Sequence, residues 1–349
     1  MRTICYYLVV VSVAIALAGC TGGKSEIANI VTVDCGSFEE VDLGDDGYAC
    51  LSLGVTDMVW DLIIHSDKVV IRFQDAVTAY SLENGDSLYS FSRKGRREDE
   101  FVSSPELWMK GDVLEMHDFN SKKLLRYDVN SGQYLGSVTD IETDQRFTIL
   151  RWDRIDGYYI GVRTFTNIPV NDLAIYDEAY NFVESVDAPT KKSGIMIGAP
   201  IVANDTGQIL YHPVYSNKIY AVKGSSLGLK YSIDFGENQI SESFVESHPE
   251  NEISAFFKEK ENKEKFVNFT QGISESKDYL LFQYILDSHR YLAKYDKRSG
   301  KTEVFKFVFD NEDIPPALLK LFYAEGRVYV LVQLDEGTTL YTIPESDLK

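Results

Sequence analysis

A repeat of about 45 residues constrains the fold of this chain more than any other feature of the sequence. Each copy has an apolar strand, a polar break and a strand that carries a tyrosine, as in VVIRF followed by VTAYSLENGDSLYSF. The six tyrosines are Tyr80, Tyr127, Tyr176, Tyr220, Tyr295 and Tyr341. Their successive spacings are 47, 49, 44, 75 and 46 residues, and one four-stranded propeller blade needs roughly 40 to 50. The repeat therefore predicts an all-β chain that folds as a six-bladed β-propeller.

Turn signals recur at the same place in three of the copies. Asn84-Gly85, Ser131-Gly132 and Ser299-Gly300 follow the tyrosine strand and precede another apolar strand. Glycine at such a place supplies the positive φ that a tight hairpin requires. These dipeptides predict a hairpin between the two outer strands of each of these blades.

The long spacing of 75 residues contains a helical signature. Residues 247–250, Ser-His-Pro-Glu, have the pattern of a capping box with proline in the first turn. An apolar stripe and a run of alternating charges follow in residues 253–265, as on a solvated helix. We predict a helical insertion over about residues 241–266, between blades four and five, with one helix near residues 248–265.

The end of the chain predicts how the ring closes. After Tyr341 only residues 342–349 remain, which is too few for the outermost strand of the last blade. A ring left open there would expose an unpaired strand edge, which β-proteins avoid. We predict that Ala49–Leu53, before the first blade, pairs with the last blade and closes the ring. The strand-like run Ile30–Val33 is the competing candidate.

The first twenty residues have the pattern of an export signal. Arg2 precedes an apolar run from Tyr6 to Ala18. This run of about 13 residues is shorter than the roughly 20 that a membrane-spanning helix needs. It ends in Leu-Ala-Gly-Cys, which resembles the lipobox of bacterial lipoproteins. We predict that Cys20 is lipidated, since several acyl chains on one residue anchor a protein firmly to a bilayer.

Cleavage before Cys20 would divide the chain into three segments. They are a signal peptide at residues 1–19, a lipidated linker at 20–29 and the propeller at 30–349. Residue 21 is Thr rather than Asp, which predicts sorting to the outer membrane. The sequence leaves open whether the protein faces the periplasm or the cell surface.

These features together resemble the six-bladed β-propeller lipoproteins of Bacteroidetes, which are relatives of NHL and TolB-like propellers. Members typically carry a GxGPGE-type loop and an aromatic residue after the first Asn-Gly turn, and the corresponding stretch here is residues 91–101. The matching residues are Gly95, Glu100 and Phe101. The residues that replace the second Gly, the Pro and the third Gly are Arg97, Glu98 and Asp99. The resemblance concerns the architecture of residues 27–349. It leaves the function open, because propellers include both binding proteins and enzymes.

Charge and cysteine content limit the partners of the chain. The 349 residues carry a formal charge of −19, which argues against nucleic acid and anionic lipid as partners because both need a dense basic surface. Cys35 and Cys50 are the two cysteines outside the signal and the lipid site, and either a disulfide or two buried thiols fits them. The five histidines are isolated and show no zinc-binding spacing.

A basic cluster is the first candidate ligand site. Arg93, Arg96 and Arg97, together with Lys94, form a dense basic group in an acidic chain. Arginine forks suit carboxylate and phosphate groups, so this cluster is a candidate site for an anionic ligand. The alternative is a solvated loop whose charges are neutralised by the acidic residues that follow it.

Three tryptophans are the second candidate. Trp60, Trp108 and Trp152 each lie near the start of a blade, where the inner strands approach the central channel. Aromatic side chains at a channel mouth stack on sugar rings or peptide side chains. Packing between blades is the alternative role.

Three further patterns offer little support for catalysis. Gly224–Gly228 reads GxSxG, but it joins two predicted strands and is therefore a turn rather than a nucleophile elbow. Glu115–Asp118 and Asp310–Asp313 contain metal-ligating residues without the spacing of a calcium loop. We predict no catalytic residue, metal ligand or cofactor, although calcium ligands dispersed over several blades would leave no local motif.

These observations lead to a functional expectation. We expect a monomeric, membrane-anchored lipoprotein that acts as a non-catalytic binding platform for a glycan, a peptide or an envelope protein. The alternative is a metal-dependent hydrolase or lactonase with its site in the propeller channel. Convergent channel carboxylates would favour the enzyme, and an aromatic or hydrophobic mouth would favour binding.

Overall fold

The computed structural model describes most of the chain after the predicted signal. The described ranges are residues 28–44, 48–55, 57–91, 95–103, 105–118, 120–139, 147–155, 158–165, 168–186, 201–203, 207–269, 272–334 and 337–348. The predicted signal peptide, Cys20, Arg93 and Lys94 lie outside the described residues.

Six small antiparallel sheets form a ring of six blades, which confirms the predicted fold. Three strands precede the first blade: β1 (Asn29–Thr32), β2 (Glu39–Asp42) and β3 (Ala49–Ser52). Blade 1 contains β4 (Asp61–His65), β5 (Lys68–Arg72), β6 (Val77–Ser81) and β7 (Ser87–Phe91). Blade 2 contains β8 (Glu106–Lys110), β9 (Val113–Asp118), β10 (Lys123–Asp128) and β11 (Tyr134–Thr139).

The remaining blades follow in chain order. Blade 3 contains β12 (Phe147–Ile155), β13 (Tyr158–Phe165), β14 (Ile168–Tyr176) and β15 (Phe182–Val186). Blade 4 contains β16 (Ile201–Ala203), β17 (Ile209–Tyr211), β18 (Lys218–Lys223) and β19 (Ser226–Asp234). Blade 5 contains β20 (Ile273–Glu275), β21 (Tyr279–Leu286), β22 (His289–Asp296), β23 (Thr302–Phe309) and the short β24 (Glu312–Asp313). Blade 6 contains β25 (Leu319–Ala324), β26 (Arg327–Leu334) and β27 (Gly337–Pro344).

Apolar clusters fill the interfaces between neighbouring blades. Each of the six interfaces has its own cluster. Starting from the interface of blades 1 and 2 and ending at that of blades 6 and 1, the clusters include, in order, the buried residues Tyr127, Tyr159, Ile160, Phe282, Phe305 and Leu331. Middle strands such as β21 are apolar on both faces because each face packs against another blade. Outer strands such as β15 expose most of their residues. Burial of each large apolar side chain contributes about 1.5 to 3 kcal/mol, so the blade interfaces hold the ring together.

The tyrosine repeat has a structural explanation. All six repeated tyrosines lie on the third strand of their blades, on β6, β10, β14, β18, β22 and β27. The predicted glycine turns are also confirmed, and each joins a third strand to a fourth. Gly132 has φ +70°, and an added Cβ there would lie 2.7 Å from the ring of Tyr89 in blade 1. Glycine is therefore required both for the turn and for the contact between blades.

Ring closure follows the sequence prediction. β3 pairs antiparallel with β27, with Leu51 opposite Leu340 and Cys50 opposite Tyr341, and supplies the fourth strand of blade 6. The competing run around Ile30 forms β1, which adds in parallel to β19 as a fifth strand of blade 4. β2 adds in the same way to β23 of blade 5. The N-terminal segment thus lies along the outer edges of blades 4, 5 and 6 in turn.

The helical insertion lies between blades 4 and 5 as predicted, but a single helix over residues 248–265 is wrong. Three short helices occur instead: α1 (Glu242–Ser247), α2 (Glu250–Phe256) and α3 (Lys260–Lys265). Ser241 rather than Ser247 caps the first of them, through a hydrogen bond from the Phe244 N–H. Within residues 248–265 the helix is interrupted at Glu259, whose backbone is extended at φ −70°, ψ 131°. A second break lies at His248, which is extended at φ −109°, ψ 143° because Pro249 disfavours helical backbone in the preceding residue.

Two further sequence expectations concern cysteines and membrane spans. Cys35 and Cys50 are both free thiols, so the two do not form the disulfide that the sequence left open. Cys35 is half-buried, and burial raises the pKa of its thiol to about 11. In the described part of the chain, no helix has the length and apolar character needed to cross a bilayer.

The closing strand leads to a stability prediction. Leu53 directly follows β3, and its side chain is 6% exposed in the cluster between blades 6 and 1. Ile30, on the added fifth strand of blade 4, is 69% exposed. We expect Leu53→Ala to lower the free energy of unfolding by about 3 kcal/mol because it leaves a cavity at the closure. Ile30→Ala should change it by less than about 0.5 kcal/mol, as measured by urea denaturation. Equal losses would contradict the account of closure.

Candidate functional site

The propeller has one face that carries most of its long connections. We call it the front face and define it as the face at which the first strand of each blade begins. The helical insertion, between β19 and β20, and residues 310–318, between β23 and β25, both lie on it. First strands of neighbouring blades contact one another, as β4 contacts β8 and β16 contacts β20, and therefore line the axis of the ring. Side chains at the front ends of these strands surround the mouth of the channel.

An ion pair joins blades 1 and 2 at this mouth. Arg72, the last residue of β5, donates from Nη1 to Oε1 of Glu106, the first residue of β8, at 3.0 Å. Arg72 is 8% exposed, and its Nε has no hydrogen-bond partner among the described residues. Asp61, the first residue of β4, lies opposite Arg72 in the strand register. The ion pair thus lies where β8 begins, and Asp61 is the register neighbour of its arginine on β4.

Blade 6 contributes a lysine next to this pair. Lys320, the second residue of β25, donates from Nζ to the carbonyl oxygen of Val59. The next residue, Trp60, donates its N–H to the carbonyl oxygen of Arg72 at 2.8 Å. The Trp60 side chain is 46% exposed. The segment before β4 therefore joins the lysine of blade 6 to the backbone of blade 1, and the Trp60 side chain is exposed at this end of β4.

Blade 5 contributes a second arginine. Arg290, near the start of β22, donates to Oε1 of Gln283 at 2.9 Å and to the carbonyl oxygen of Pro316 at 3.0 Å. Gln283 in turn donates from Nε2 to the carbonyl oxygen of Leu321, the neighbour of Lys320 on β25, at 3.1 Å. These hydrogen bonds hold Arg290 at the interface of blades 5 and 6.

Charged groups of blades 1 and 5 influence the lysine of blade 6. Burial lowers the pKa of Lys320; Asp61 opposes this effect, and the positive charges of Arg290 and Arg72 add to it. Burial also lowers the pKa of Arg290 to about 10. We call Asp61, Arg72, Glu106, Arg290 and Lys320 the mouth cluster. It comes from blades 1, 2, 5 and 6, and its formal charge is +1.

A buried carboxylate organises the front loops of blade 2 near this cluster. Asp118, the last residue of β9, accepts hydrogen bonds from the Val102 N–H at 2.5 Å, from Ser103 Oγ at 2.5 Å and from Ser121 Oγ at 2.7 Å. Burial alone would raise the pKa of Asp118, but these hydrogen bonds outweigh it and hold the pKa below its usual value. The ionised carboxylate therefore fixes two front loops to β9.

The other members of the Glu115–Asp118 run are structural. Glu115 is fully buried and accepts from Trp108 Nε1 at 2.5 Å, from Arg126 Nε at 3.1 Å and from the Tyr180 hydroxyl at 3.0 Å. This network joins blade 2 to blade 3. Burial lowers the pKa of His117 to about 4, so its ring is neutral at pH 7.

The Asp310–Asp313 run lies on the outer part of blade 5. Asp313 bonds to Lys306 Nζ at 2.5 Å and to His289 Nε2 at 2.8 Å. The Asn311 N–H donates to Oδ2 of Asp42, on β2, at 2.8 Å. The run thus fixes β24 and β2 to the blade. Among the described residues, no group of three or more His, Cys, Asp or Glu is arranged to hold a metal ion.

The structure separates the three tryptophans. Trp60 lies at the mouth, whereas Trp108 packs between blades 2 and 3, where Glu115 accepts its N–H. The backbone of Trp152 lies in β12 opposite Gly161, and its side chain lies outside the described part of the structure. One of the three is therefore placed at the channel mouth.

The basic loop is fixed to blade 2. Lys123 donates to the carbonyl oxygens of Arg97, at 2.5 Å, and of Glu100, at 3.0 Å. The side chains of Arg96 and Arg97 are exposed. Within the described ranges, no hydrogen bond or ion pair joins either of them to the mouth cluster. The loop and the mouth are thus separate basic features.

A pocket of about 160 Å³ lies beneath the helical insertion. It is beside the third strand of blade 4, and its lining includes Tyr215, Asn217, Lys218, Phe235, Val245 and Phe257. Lys218 forms an ion pair with Glu242 of α1 at 2.9 Å. The pocket belongs to one blade and its insertion, whereas the mouth cluster combines four blades.

Sequence reasoning missed the cations of the mouth cluster. Arg72, Arg290 and Lys320 come from three blades and therefore form no local motif. A signal was present, because each is a cation beside an apolar residue in a strand, as Lys320 is between Leu319 and Leu321. Charged residues are rarely buried without partners, so such positions indicate interactions across a blade interface. The turn at Gly224–Gly228 joins β18 to β19 and offers no nucleophile elbow.

Comparisons with known proteins agree with this architecture. A family model described as "Domain of unknown function (DUF4934)" matches residues 55–342. No curated protein matches the sequence.

Two solved structures from Bacteroides have a similar fold. One, from Bacteroides fragilis, is described as a "Putative exported protein"; it is 13% identical, has a TM-score of 0.63, and the match covers 90% of this chain and 99% of that one. A member of the duf4221 family from Bacteroides vulgatus is 10% identical, with a TM-score of 0.54 and coverage of 84% and 95%. At such identities the similarity shows the fold alone.

Proposed function

The chain belongs to the DUF4934 family, and from that premise we propose that it is an envelope lipoprotein that binds a ligand at the front mouth of its propeller without transforming it. The ligand would be a glycan, a peptide or an envelope protein partner, and the binding unit a monomer. The observation that carries this proposal is the convergence of side chains from blades 1, 2, 5 and 6 at one end of the channel.

The geometry of the mouth suits recognition. The side chains of the mouth lie on strands of a closed ring. Hydrogen bonds within the protein hold them in place in the absence of a ligand. Binding then requires little ordering of the protein, which favours affinity. The exposed indole of Trp60 adds a flat apolar surface beside the charged groups. A rigid scaffold that presents an aromatic and several polar groups at one point is typical of a binding site.

The carboxylates of the mouth favour binding over acid–base catalysis. Glu106 is bound to Arg72, and Asp61 accepts the N–H of its neighbour Leu62 at 2.9 Å. Both carboxylates are therefore already engaged in hydrogen bonds within the protein, which suits a structural role.

Lipidation of Cys20 would anchor the protein in the cell envelope. Thr21, the residue after the lipidated cysteine, favours sorting to the outer membrane. The lipobox-like residues 17–20 and the exported description of the similar Bacteroides fragilis protein support this. The same two observations support membership of the six-bladed β-propeller lipoproteins of Bacteroidetes, which are relatives of NHL and TolB-like propellers. The sequence leaves the side of the membrane open.

The strand directions support an orientation on that membrane. β1 is parallel to β19, which ends at the front face, so the chain reaches Asn29 from the opposite face. Nine residue steps separate Cys20 from Asn29, and an extended chain of that length spans about 30 Å at most. We propose that the anchor holds the back of the propeller towards the membrane and leaves the mouth open to solvent.

The anchor gives a direct prediction. We expect Cys20→Ser to abolish incorporation of a clickable fatty-acid analogue, because the diacylglyceryl group requires the thiol. Cys50→Ser is the matched control, since Cys50 is an exposed free thiol on β3 and should leave labelling unchanged. Equal label in the wild type and in Cys20→Ser would exclude lipidation at this residue.

The mouth gives a second prediction. A thermal-shift screen of glycans and peptides should find a ligand class whose affinity Trp60→Ala weakens about tenfold, or ~1.4 kcal/mol. Phe182→Ala is the control, because Phe182 is 52% exposed on the outer strand β15. Lactone, ester and glycoside substrates, with and without calcium, should give no product. Turnover that is lost on mutation of Asp61 or Glu106 would overturn the proposal in favour of a hydrolase or lactonase.

A further inference from the structure

The pocket beneath the helical insertion has a buried apolar floor. Phe235, Val267 and Phe269 line it, and all three side chains are buried. The rings of Phe235 and Phe269 meet edge to face, with their centroids 5.6 Å apart. These residues belong to the core between blades 4 and 5. The floor is therefore held by the packing of the ring.

An aromatic pair forms one wall of the pocket. Tyr215, in the turn between β17 and β18, stacks on Phe257, which follows α2. Their ring planes are 12° apart and their centroids 5.8 Å apart. The Tyr215 backbone has φ 61°, a left-handed conformation that is unfavourable for a bulky residue. Such strain is retained where the surrounding structure requires it, and it is frequent at ligand sites.

The rim of the pocket carries more negative than positive charge. Glu242 and Glu246 of α1 both line the pocket, and both are exposed. Lys218 of β18 bonds to Glu242 Oε1 at 2.9 Å and to Oε2 at 3.0 Å. The hydrogen bond with Glu242 raises the pKa of Lys218, and the charge of Glu246 adds to this effect. The three rim groups together have a formal charge of −1.

The size of the pocket limits the ligand to about one ring. The volume is about 160 Å³, and an apolar cavity of about 150 Å³ holds one benzene molecule. Aromatic side chains receive another aromatic ring in a stacked or an edge-to-face arrangement. The floor and the wall offer both arrangements to a ring of this size.

The separation of apolar floor and charged rim also limits the orientation of the ligand. A charged group placed against the floor would lose its hydration without gaining a partner there. A positive group at the rim keeps its contact with water and faces Glu242 and Glu246. Aromatic faces attract a cation as well. A ligand with a ring at one end and a positive charge at the other therefore matches the pocket, whereas an anion would meet two carboxylates.

We propose that this pocket binds an arylalkylamine, a molecule in which a short linker joins an aromatic ring to an ammonium group. The ring lies on Phe235 and Phe269, and the ammonium faces Glu242 and Glu246. The site is separate from the mouth, because its lining comes from blade 4 and from the segment that leads to blade 5.

The test compares two ligands that differ in charge. Benzylamine is protonated at neutral pH, whereas benzyl alcohol has the same ring and nearly the same size without a charge. In isothermal titration calorimetry on the whole folded chain, we expect benzylamine to bind about five- to tenfold more tightly than benzyl alcohol. Added salt should weaken the binding of benzylamine and leave that of benzyl alcohol unchanged.

Two rim variants should change the affinity in opposite directions. Glu246→Gln removes an attracting charge and should weaken benzylamine binding about two- to fivefold. Lys218→Met removes a repelling charge and should strengthen it by about the same factor. Glu237→Gln is the matched control, because Glu237 is exposed just after β19 and does not line the pocket. It should leave the affinity unchanged.

A further pair of variants locates the ligand. Val245 of α1 lines the pocket, and Val245→Phe should fill its space and weaken both ligands at least about tenfold. Trp60→Ala changes the mouth and should leave both affinities unchanged. If Val245→Phe fails to fold, the opposite effects of Glu246→Gln and Lys218→Met still test the site.

A free amine and the N-terminus of a peptide that begins with phenylalanine share the proposed chemistry. L-Phenylalaninamide and the tripeptide amide Phe-Gly-Gly carry the same ring and ammonium, and only the second continues as a chain. Loss of affinity on chain extension would support the free amine as the ligand, and equal affinity would support a peptide N-terminus at the same site.

Three results would overturn the proposal. One is the absence of binding by both benzylamine and L-phenylalaninamide. Another is equal affinity for benzylamine and benzyl alcohol, which would show that the rim charges select nothing. The third is a preference for benzylamine that neither Glu246→Gln nor Lys218→Met alters, which would place the ammonium elsewhere on the protein.

Discussion

The antiparallel pairing of β3 with β27 is the interaction on which the rest of the structure depends. It supplies the fourth strand of blade 6 and brings that blade against blade 1. The mouth cluster uses this junction, because Lys320 of blade 6 bonds to the Val59 carbonyl oxygen just before blade 1. Gln333 of β26 spans the same junction by accepting the Val59 N–H at 3.2 Å and donating to the Asp57 carbonyl oxygen at 2.9 Å. Without closure, Lys320 would lose its contact with the segment that leads into blade 1.

Buried charges at other interfaces show a different balance. Glu275, between blades 4 and 5, accepts from Lys230 at 2.6 Å, from Lys297 at 2.7 Å and from the Tyr231 hydroxyl at 2.5 Å. Such a carboxylate is fully surrounded by donors, so its desolvation cost is offset within the protein. At the mouth the cations outnumber the carboxylates. The Arg72–Glu106 pair at the mouth also joins two blades, so charge balance rather than position distinguishes it from the network around Glu275.

Local and dispersed features differed in how well the sequence predicted them. The spacing of residues such as Tyr127 and Tyr341 and the turns at Gly132 and Gly300 gave the blades, because each blade is a local unit with a regular period. The helical insertion was predicted, but its division at His248 and at Glu259 was not, because the apolar stripe does not show where the backbone becomes extended. The mouth cluster was not predicted, since its members are brought together only by ring closure.

The influence of other cations on Lys320 can be measured directly. An NMR titration of its ε-methylene group reports this influence, because like charges lower the pKa of an ammonium. We expect a pKa below the ordinary 10.5, lowered first by burial and then by Arg290 and Arg72. We also expect Arg72→Met to raise this pKa. A pKa of 10.5 that Arg72→Met leaves unchanged would contradict the convergence of the three cations.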